Sequence, residues 1–220
     1  MSTEYTAFPD FADTPMNKEL RHQRAQMDQS PMTRVTLDRL PGADARELAG
    51  DPFAQTPLPF CGRREAVWRL FDFIKIPTEI RWWAVTGPAG SGKSRLAFEI
   101  MRRLVPEYYS FFLDADADPS CAEEFVPFQN TLVVVDSFQG KEAAVARFIS
   151  ILLDKFQDTI HFLRILFLER ETPVPGNSWC DRLEAAFAPE YRSRFRSLEY
   201  DPGLASLGGH NFLRLGDLDD

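Results

Sequence analysis

A glycine-rich stretch near the middle of the chain carries the clearest chemistry. Gly87-Pro88-Ala89-Gly90-Ser91-Gly92-Lys93-Ser94 matches the pattern G-x-x-x-x-G-K-[ST]. Glycines let a backbone turn tightly and approach a phosphate closely, so that successive N–H groups and the positive end of a following helix form an anion site. In such a loop Lys93 reaches the β- and γ-phosphates, and the hydroxyl of Ser94 ligates Mg²⁺.

The segments on either side of this loop have the pattern that a phosphate-binding P-loop requires. An apolar run, Trp82–Val85, leads into it, and a helical pattern follows it with Leu96, Ala97, Ile100, Met101 and Leu104 on one face. A strand, a glycine-rich turn and a helix in this order favour a P-loop over a chance glycine-rich turn. The residues predicted to hold the nucleotide phosphates are Gly87, Gly90, Ser91, Gly92, Lys93, Ser94 and Arg95.

A second landmark is the run Thr131-Leu132-Val133-Val134-Val135-Asp136. Continuous β-branched residues are typical of a central parallel strand that is buried on both faces. In P-loop proteins an aspartate at the end of such a strand holds Mg²⁺. We therefore predict that Asp136 and Ser94 are the metal ligands, although Asp136 could also be an ordinary strand end.

The remaining elements predict an α/β fold. Further strands are expected at 81–86, 108–113, 162–168 and 211–215, and helices at 66–76, at 141–156 and from Asn177 or Ser178. Right-handed crossovers make this a parallel sheet of about five strands with helices on both faces. Ligands bind beyond the carboxyl ends of the strands in such sheets, where Gly87, Asp136 and Arg170 are all expected.

Composition narrows the functional classes. The chain has 220 residues, of which 44% are hydrophobic and 26% are charged, and its formal net charge is −8. This acidity argues against a broad surface for nucleic acid or for anionic membranes. Neither a membrane span nor a signal peptide is predicted, and the three separated cysteines suggest reduced thiols, so a cytoplasmic protein is expected.

The first quarter of the chain differs from the rest. Residues 1–58 are polar and rich in proline, with only a short helix possible at 17–27. We predict a flexible leader at 1–58 and a nucleotide-binding domain at 59–220. A leader that orders on a partner is the functional alternative.

An acidic alternation follows the second predicted strand. Asp114, Asp116 and Asp118 could form a metal cluster, but they lack the glycine and the distal glutamate of a calcium loop. A solvated acidic loop is the preferred interpretation.

Several of these motifs together resemble the STAND class of P-loop ATPases, the NACHT-like and NB-ARC-like signalling switches and in particular their bacterial members. The resemblance runs from about Phe60 to the end of the chain. It is carried by Gly62-Arg63-Arg64-Glu65, by the P-loop, by the segment TLVVVDS and by the segment LRILFLERE.

The resemblance implies ATP or ADP with Mg²⁺ as cofactors and a sheet order of 5-1-4-3-2. It implies that Phe60–Arg63, with Gly62 and Arg63 as binding residues, lie near the adenine and that Asp136 is the Walker B aspartate. Arg170 would be a sensor arginine that reads the γ-phosphate. An exposed charge between two glutamates is the plain alternative for Arg170.

The sequence departs from the class at two places. Ser137 follows Asp136, where many such ATPases carry an acid that polarises the attacking water, and serine is a poor general base. Asp114 or Glu169 could substitute, and slow hydrolysis is expected. The chain also ends at the last predicted strand, where relatives continue into a lid. A truncated member, a lid from a second copy or a partner protein, and a misplaced last strand are the three explanations that stay open.

Three other functions stay open at this stage. A GTPase is one of them, because Asp136-Ser137-Phe138-Gln139-Gly140 comes close to the D-x-x-G motif. The segment has one residue too many before the glycine, however, and no N-K-x-D motif follows, so the signal is weak. A phosphotransferase would need an arginine-rich lid, for which Arg192, Arg194 and Arg196 are candidates, although alternation on a half-exposed strand or loop explains them as well. A nucleotide-binding interaction protein without hydrolysis is the third.

Overall fold

The computed structural model of the chain describes residues 62–104, 107–116, 118–170, 176, 178–201 and 212–216. The predicted leader, 1–58, and the helix predicted at 17–27 lie outside the described residues. Within the described part, five strands form one sheet, and helices cover both of its faces. The predicted fold class, an α/β parallel sheet between two helical layers, is therefore confirmed.

The bounds of the elements agree closely with the sequence pattern. In chain order they are α1 (Arg64–Lys75), β1 (Ile80–Thr86), α2 (Lys93–Leu104), β2 (Tyr108–Leu113), a 3-10 helix (Pro119–Glu124), β3 (Asn130–Asp136), α3 (Glu142–Phe156), β4 (Leu163–Glu169), α4 (Trp179–Ala186), α5 (Pro189–Ser197) and β5 (Leu213–Arg214). The first four strands match their predicted ranges to within one residue at each end.

The sheet order is β2-β3-β4-β1-β5, which read from the β5 edge is the predicted 5-1-4-3-2. Every ladder is parallel. In the central register Ile165 of β4 lies between Trp82 of β1 and Val133 of β3. The strand that ends next to Arg170 thus separates the P-loop strand from the Asp136 strand.

Side chains that alternate along the strands divide the interior into two cores. On one face Trp82 and Ala84 pack with residues of α3, α4 and α5, and on the other Trp83 and Val85 pack with residues of α1 and α2. Burying each large apolar side chain contributes about 1.5–3 kcal/mol. Both cores continue beneath the carboxyl ends of the strands, so they hold the loops there in place.

One charged residue lies inside this interior. Arg164 of β4 is 0% exposed, and burial lowers its pKa to about 10, so the guanidinium stays charged at neutral pH. It donates to the carbonyls of Ile76, Ile74 and Leu163, at 2.6, 3.0 and 3.0 Å, and to that of Glu79 at 3.3 Å. Arg164 therefore satisfies the carboxyl end of α1 and the turn that leads into β1.

The interpretation of Arg192, Arg194 and Arg196 as alternation on a strand or loop is wrong, because they lie on the helix α5. Pro189 stands in the first turn, where proline is compatible with a helix. Arg192 donates to carbonyls at the carboxyl end of α4, and Arg194 donates to Leu153 O in the last turn of α3. Arg192 and Arg194 thus cap helix ends, and Arg196 forms an ion pair with Glu184 at 2.5 Å, which removes the support for an arginine-rich lid.

Candidate functional site

The residues predicted to converge do meet at the carboxyl edge of the sheet. Gly87 follows β1, and its N–H donates to the carbonyl of Glu169 in β4 at 3.1 Å. The N–H of Ser137, which follows β3, donates to the carbonyl of Leu168 in β4 at 3.2 Å. Backbone hydrogen bonds thus connect the P-loop and the turn after Asp136 to the same strand.

The glycines of the loop are required by its geometry. A Cβ atom on Gly87 would lie 2.7 Å from the carbonyl oxygen of Leu215 and 2.8 Å from Oγ of Ser91, closer than real Cβ atoms come. Gly90 and Gly92 have φ of 81° and 84°, in the region that glycine adopts most easily. The chain after β5 therefore packs directly against the start of the loop.

Lys93 is held inside the loop. Its Nζ donates to the carbonyls of Gly87 and Pro88, at 2.8 and 3.0 Å, and the residue is only 7% exposed. Burial lowers the pKa of Lys93 and the charge of Arg170 acts in the same direction, while the carboxylates of Asp136 and Glu169 oppose this. The ammonium group, Arg170 and two carboxylates thus share one electrostatic environment.

Asp136 is contacted on both of its oxygens. Oγ of Ser94, in the first turn of α2, donates to Oδ2 at 2.5 Å, and Oγ of Ser137 donates to Oδ1 at 3.0 Å. The predicted metal ligands Ser94 and Asp136 are therefore adjacent. From the sequence, Ser137 stands out only as the residue that replaces an acid. Its hydrogen bond to Asp136 is not predicted.

Glu169 lies beneath the turn that follows Asp136. It is 1% exposed, and its Oε1 accepts from the N–H of Phe138 at 3.3 Å. Burial raises the pKa of Glu169 and the charge of Asp136 adds to this, whereas hydrogen bonds from the turn and from the N–H of Arg170 oppose it. The carboxyl group of Glu169 is thus buried and accepts hydrogen bonds from the turn, whereas the next residue, Arg170, is exposed.

Arg63 reaches the loop from the other side. It precedes α1 with a φ of 56°, and its guanidinium donates to the carbonyls of Ser91 and Gly216, at 3.0 and 2.8 Å. Gly62 is exposed beside it, and Arg95 is half-buried in the first turn of α2. Arg63 thus joins the P-loop to the short segment that follows β5.

The three aspartates after β2 serve local structure. Asp114 accepts from the N–H of Asp116 at 2.9 Å, and Asp118 accepts from the N–H of Ser120 at 2.9 Å at the start of the 3-10 helix. Asp116 forms an ion pair with Lys141. Among the described residues, no group of three or more His, Cys, Asp and Glu side chains could hold a metal ion.

The site residues fit a magnesium–phosphate ligand. Oγ of Ser91 is buried in the loop without a hydrogen-bond partner, and such an atom is costly unless a ligand or water satisfies it. The hydroxyl of Ser94 and the carboxylate of Asp136 are oxygen donors of the kind that Mg²⁺ prefers. Lys93 supplies a positive charge beside them.

The chain was compared with protein-family models, with curated proteins and with solved structures. No protein-family model matches the chain, and no curated protein matches it. Among solved structures it is similar to the RuvB Holliday junction branch migration motor of Thermotoga maritima, with 16% identity, a TM-score of 0.39, and coverage of 64% of this chain and 45% of that one. It is also similar to AMPPCP-bound DnaA from Aquifex aeolicus, with 17% identity, a TM-score of 0.36, and coverage of 66% and 48%.

The chain thus spans less than half the length of these structures. None of the described helices has the length and apolar character to cross a membrane. The strand order and the glycine loop between β1 and α2 give the chain the fold of the P-loop nucleoside triphosphatases.

Proposed function

We propose that the chain binds ATP and ADP with Mg²⁺ at the P-loop, and that the bound nucleotide acts as a conformational or assembly switch with slow hydrolysis. The 2.5 Å hydrogen bond between Ser94 Oγ and Asp136 Oδ2 carries this proposal. It brings the two candidate metal ligands together beside the Lys93 ammonium group, and a chance glycine-rich turn gives no reason for that arrangement.

The phosphates would be held by Gly87, Gly90, Ser91, Gly92, Lys93, Ser94 and Arg95. Lys93 would exchange its two carbonyl acceptors for phosphate oxygens, and the buried hydroxyl of Ser91 would gain a partner. Arg170 would read the terminal phosphate, which is supported by its place directly after β4, between the P-loop strand and the Asp136 strand. Gly62 and Arg63 would lie on the adenine side.

Ser94 and Asp136 would hold Mg²⁺, which when bound neutralises phosphate charge and orients the phosphate chain. Asp136 would accept hydrogen bonds from Ser94 and Ser137, as it does in the structure. The switch requires ATP and ADP to bind two conformations with different affinities. A STAND-like signalling role rests on the resemblance of the motifs alone.

A second candidate is a nucleotide-binding interaction protein without hydrolysis. It is favoured by the fate of the carboxylates that could replace the acid after Asp136. Glu169 is buried and its Oε1 accepts from the N–H of Phe138. Asp114 accepts from the N–H of Asp116 at the end of β2, the edge strand farthest from β1. A measurement of ATP hydrolysis separates the two candidates: slow turnover is expected for the switch, and no turnover for the interaction protein.

Calorimetric titration of the chain with ATP, ADP and GTP, each with Mg²⁺, tests the proposal. We expect binding that prefers adenine nucleotides and is lost in Lys93→Ala. The matched control is Lys155→Ala, because Lys155 lies in the last turn of α3, at the opposite end of the sheet. Unchanged nucleotide affinity in Lys93→Ala would refute the P-loop site.

Partners follow from the same proposal. We expect either nucleotide-dependent self-association or a partner protein that supplies a lid. We expect this assembly in the cytoplasm. The net charge of −8 argues against a broad surface for nucleic acid. Light scattering after gel filtration with ADP, with ATP and without nucleotide measures the assembly. An equal mass under all three conditions would leave a conformational change as the switch.

A further inference from the structure

Ser137 has a backbone conformation that costs free energy. Its φ is 53°, and among the described residues only Ser137 and Arg63 combine a side chain with a positive φ. Residues of this kind persist where the surrounding structure holds them, and they cluster at functional sites. Both of these residues border the P-loop site.

The turn that contains Ser137 is held by hydrogen bonds from its own backbone N–H groups, which do not involve the Ser137 hydroxyl. Its N–H donates to the carbonyl of Leu168 at 3.2 Å, and the next N–H, of Phe138, donates to the buried carboxylate of Glu169 at 3.3 Å. The N–H of Lys141 closes the turn on the carbonyl of Phe138 at 2.9 Å. The side chain of Phe138 is 0% exposed in the core below.

The hydroxyl therefore has a separate use. Ser137 is exposed, yet its Oγ donates to Oδ1 of Asp136 at 3.0 Å, on the oxygen that Ser94 does not contact. With both oxygens engaged, the carboxylate of Asp136 is fixed in rotation, and Oδ2 stays directed at Ser94. Partners of this kind orient metal-ligating carboxylates.

We propose that Ser137 is a positioning residue that orients Asp136 for Mg²⁺, with Glu169 as the buried anchor of the turn that carries it. This inference rests on the proposed function, since it assigns a role within the same magnesium–nucleotide site. A hydroxyl at this position holds the metal ligand and does not take a proton from water at neutral pH. This role for Ser137 agrees with the slow hydrolysis that the proposed function expects.

The test is the Mg²⁺ dependence of ADP binding by the full chain. The affinity for ADP is measured by calorimetry over a series of Mg²⁺ concentrations and in EDTA, for the wild type, Ser137→Ala and Ser137→Gly. We expect both variants to need about tenfold more Mg²⁺, the lower end of the range for partners of metal ligands because Ser137 is exposed. Their affinity for ADP in EDTA should equal that of the wild type.

The pair of variants separates positioning from backbone strain. Glycine relieves the positive φ and alanine keeps it, so Ser137→Gly should unfold at a higher temperature than Ser137→Ala while the two share one Mg²⁺ requirement. The control is Ser150→Ala, which removes a hydroxyl bonded to Ala146 O within α3. It should leave the Mg²⁺ requirement unchanged.

Three results would overturn the inference. A Mg²⁺ requirement of Ser137→Ala within twofold of the wild type would remove the positioning role alone, with the nucleotide site intact. A requirement that followed thermal stability across the two variants would assign the effect to the backbone. If the wild type bound no ADP with or without Mg²⁺, the proposed function would fail and this inference with it.

Discussion

Replacing the buried Arg164 by methionine should destabilise the fold far more than replacing an arginine on the surface would. Arg164 is 0% exposed in the central strand β4 and donates to four backbone carbonyls. Methionine fills a similar volume but donates no hydrogen bond. The carbonyls of Ile74 and Ile76, at the carboxyl end of α1, would lose their contacts at 3.0 and 2.6 Å.

The magnitude follows from those acceptors. A hydrogen bond from a charged donor contributes about 1.5–3 kcal/mol, and a buried carbonyl left unsatisfied costs about 1–3 kcal/mol. Burying the charged guanidinium costs free energy, as the lowered pKa of Arg164 indicates. Methionine removes this cost, which offsets the loss by several kcal/mol. The contacts to Ile74, Ile76 and Leu163, none longer than 3.0 Å, outweigh this relief, so we expect a net loss of about 3 kcal/mol in the free energy of unfolding.

Urea denaturation followed by circular dichroism measures this loss. Arg164→Lys is the informative companion, because it keeps the charge but not the planar fork, and it should recover only part of the stability. Arg170→Met is the matched control, since Arg170 is exposed just beyond the same strand and should change stability by about 0.5 kcal/mol or less. A loss below about 1 kcal/mol in Arg164→Met would refute the reasoning.

Three further changes test other parts of the fold. Gly87→Ala should cost about 1–3 kcal/mol in urea denaturation, because the added Cβ would meet the carbonyl of Leu215 at 2.7 Å; no loss would mean that the chain after β5 does not press on the loop. Glu99→Gln should lower stability by about 1 kcal/mol at pH 7, since hydrogen bonds from Arg102 and then Arg103 lower the pKa of Glu99. That stability is present above the unfolded pKa of about 4.3 and is lost as the pH falls through the lower folded pKa, so the two denaturation curves should merge in acid; a constant gap would contradict this. Ser178→Ala should cost about 1 kcal/mol in thermal unfolding, because Ser178 forms a capping box with Asp181 at the start of α4; an unchanged midpoint would rule the cap out.

The fold could be predicted because its signals are local and repeated. The β-branched run of β3 and the helical spacing of apolar residues in α2 and α3 agree with the elements to within a residue or two. The glycine loop identified β1 before it and α2 after it. Asp136 marked the end of β3, which the structure brings to Ser94. Sheet order followed from the resemblance of the motifs.

The features that escaped prediction depend on contacts distant in the chain. Arg164 lies 90 residues from Ile74, and nothing in a buried strand pattern indicates that its charge is satisfied by a helix end. The alternating arginines of α5 have the period of a strand, but their carbonyl partners in α3 and α4 favour a helix. A positive φ at Ser137 is imposed by the neighbouring strand and has no signature in a serine.

The position of β4 explains how these parts form one site. Gly87 and Ser137 follow different strands, β1 and β3, and both donate a backbone hydrogen bond to the end of β4, at 3.1 and 3.2 Å. A shift of one residue in either ladder would move the loop or the turn by about 3.3 Å and turn its side chains to the other face. The 2.5 Å contact between Ser94 and Asp136 cannot survive such a shift. The register of three parallel strands, set by the two cores beneath, therefore determines whether the candidate metal ligands meet.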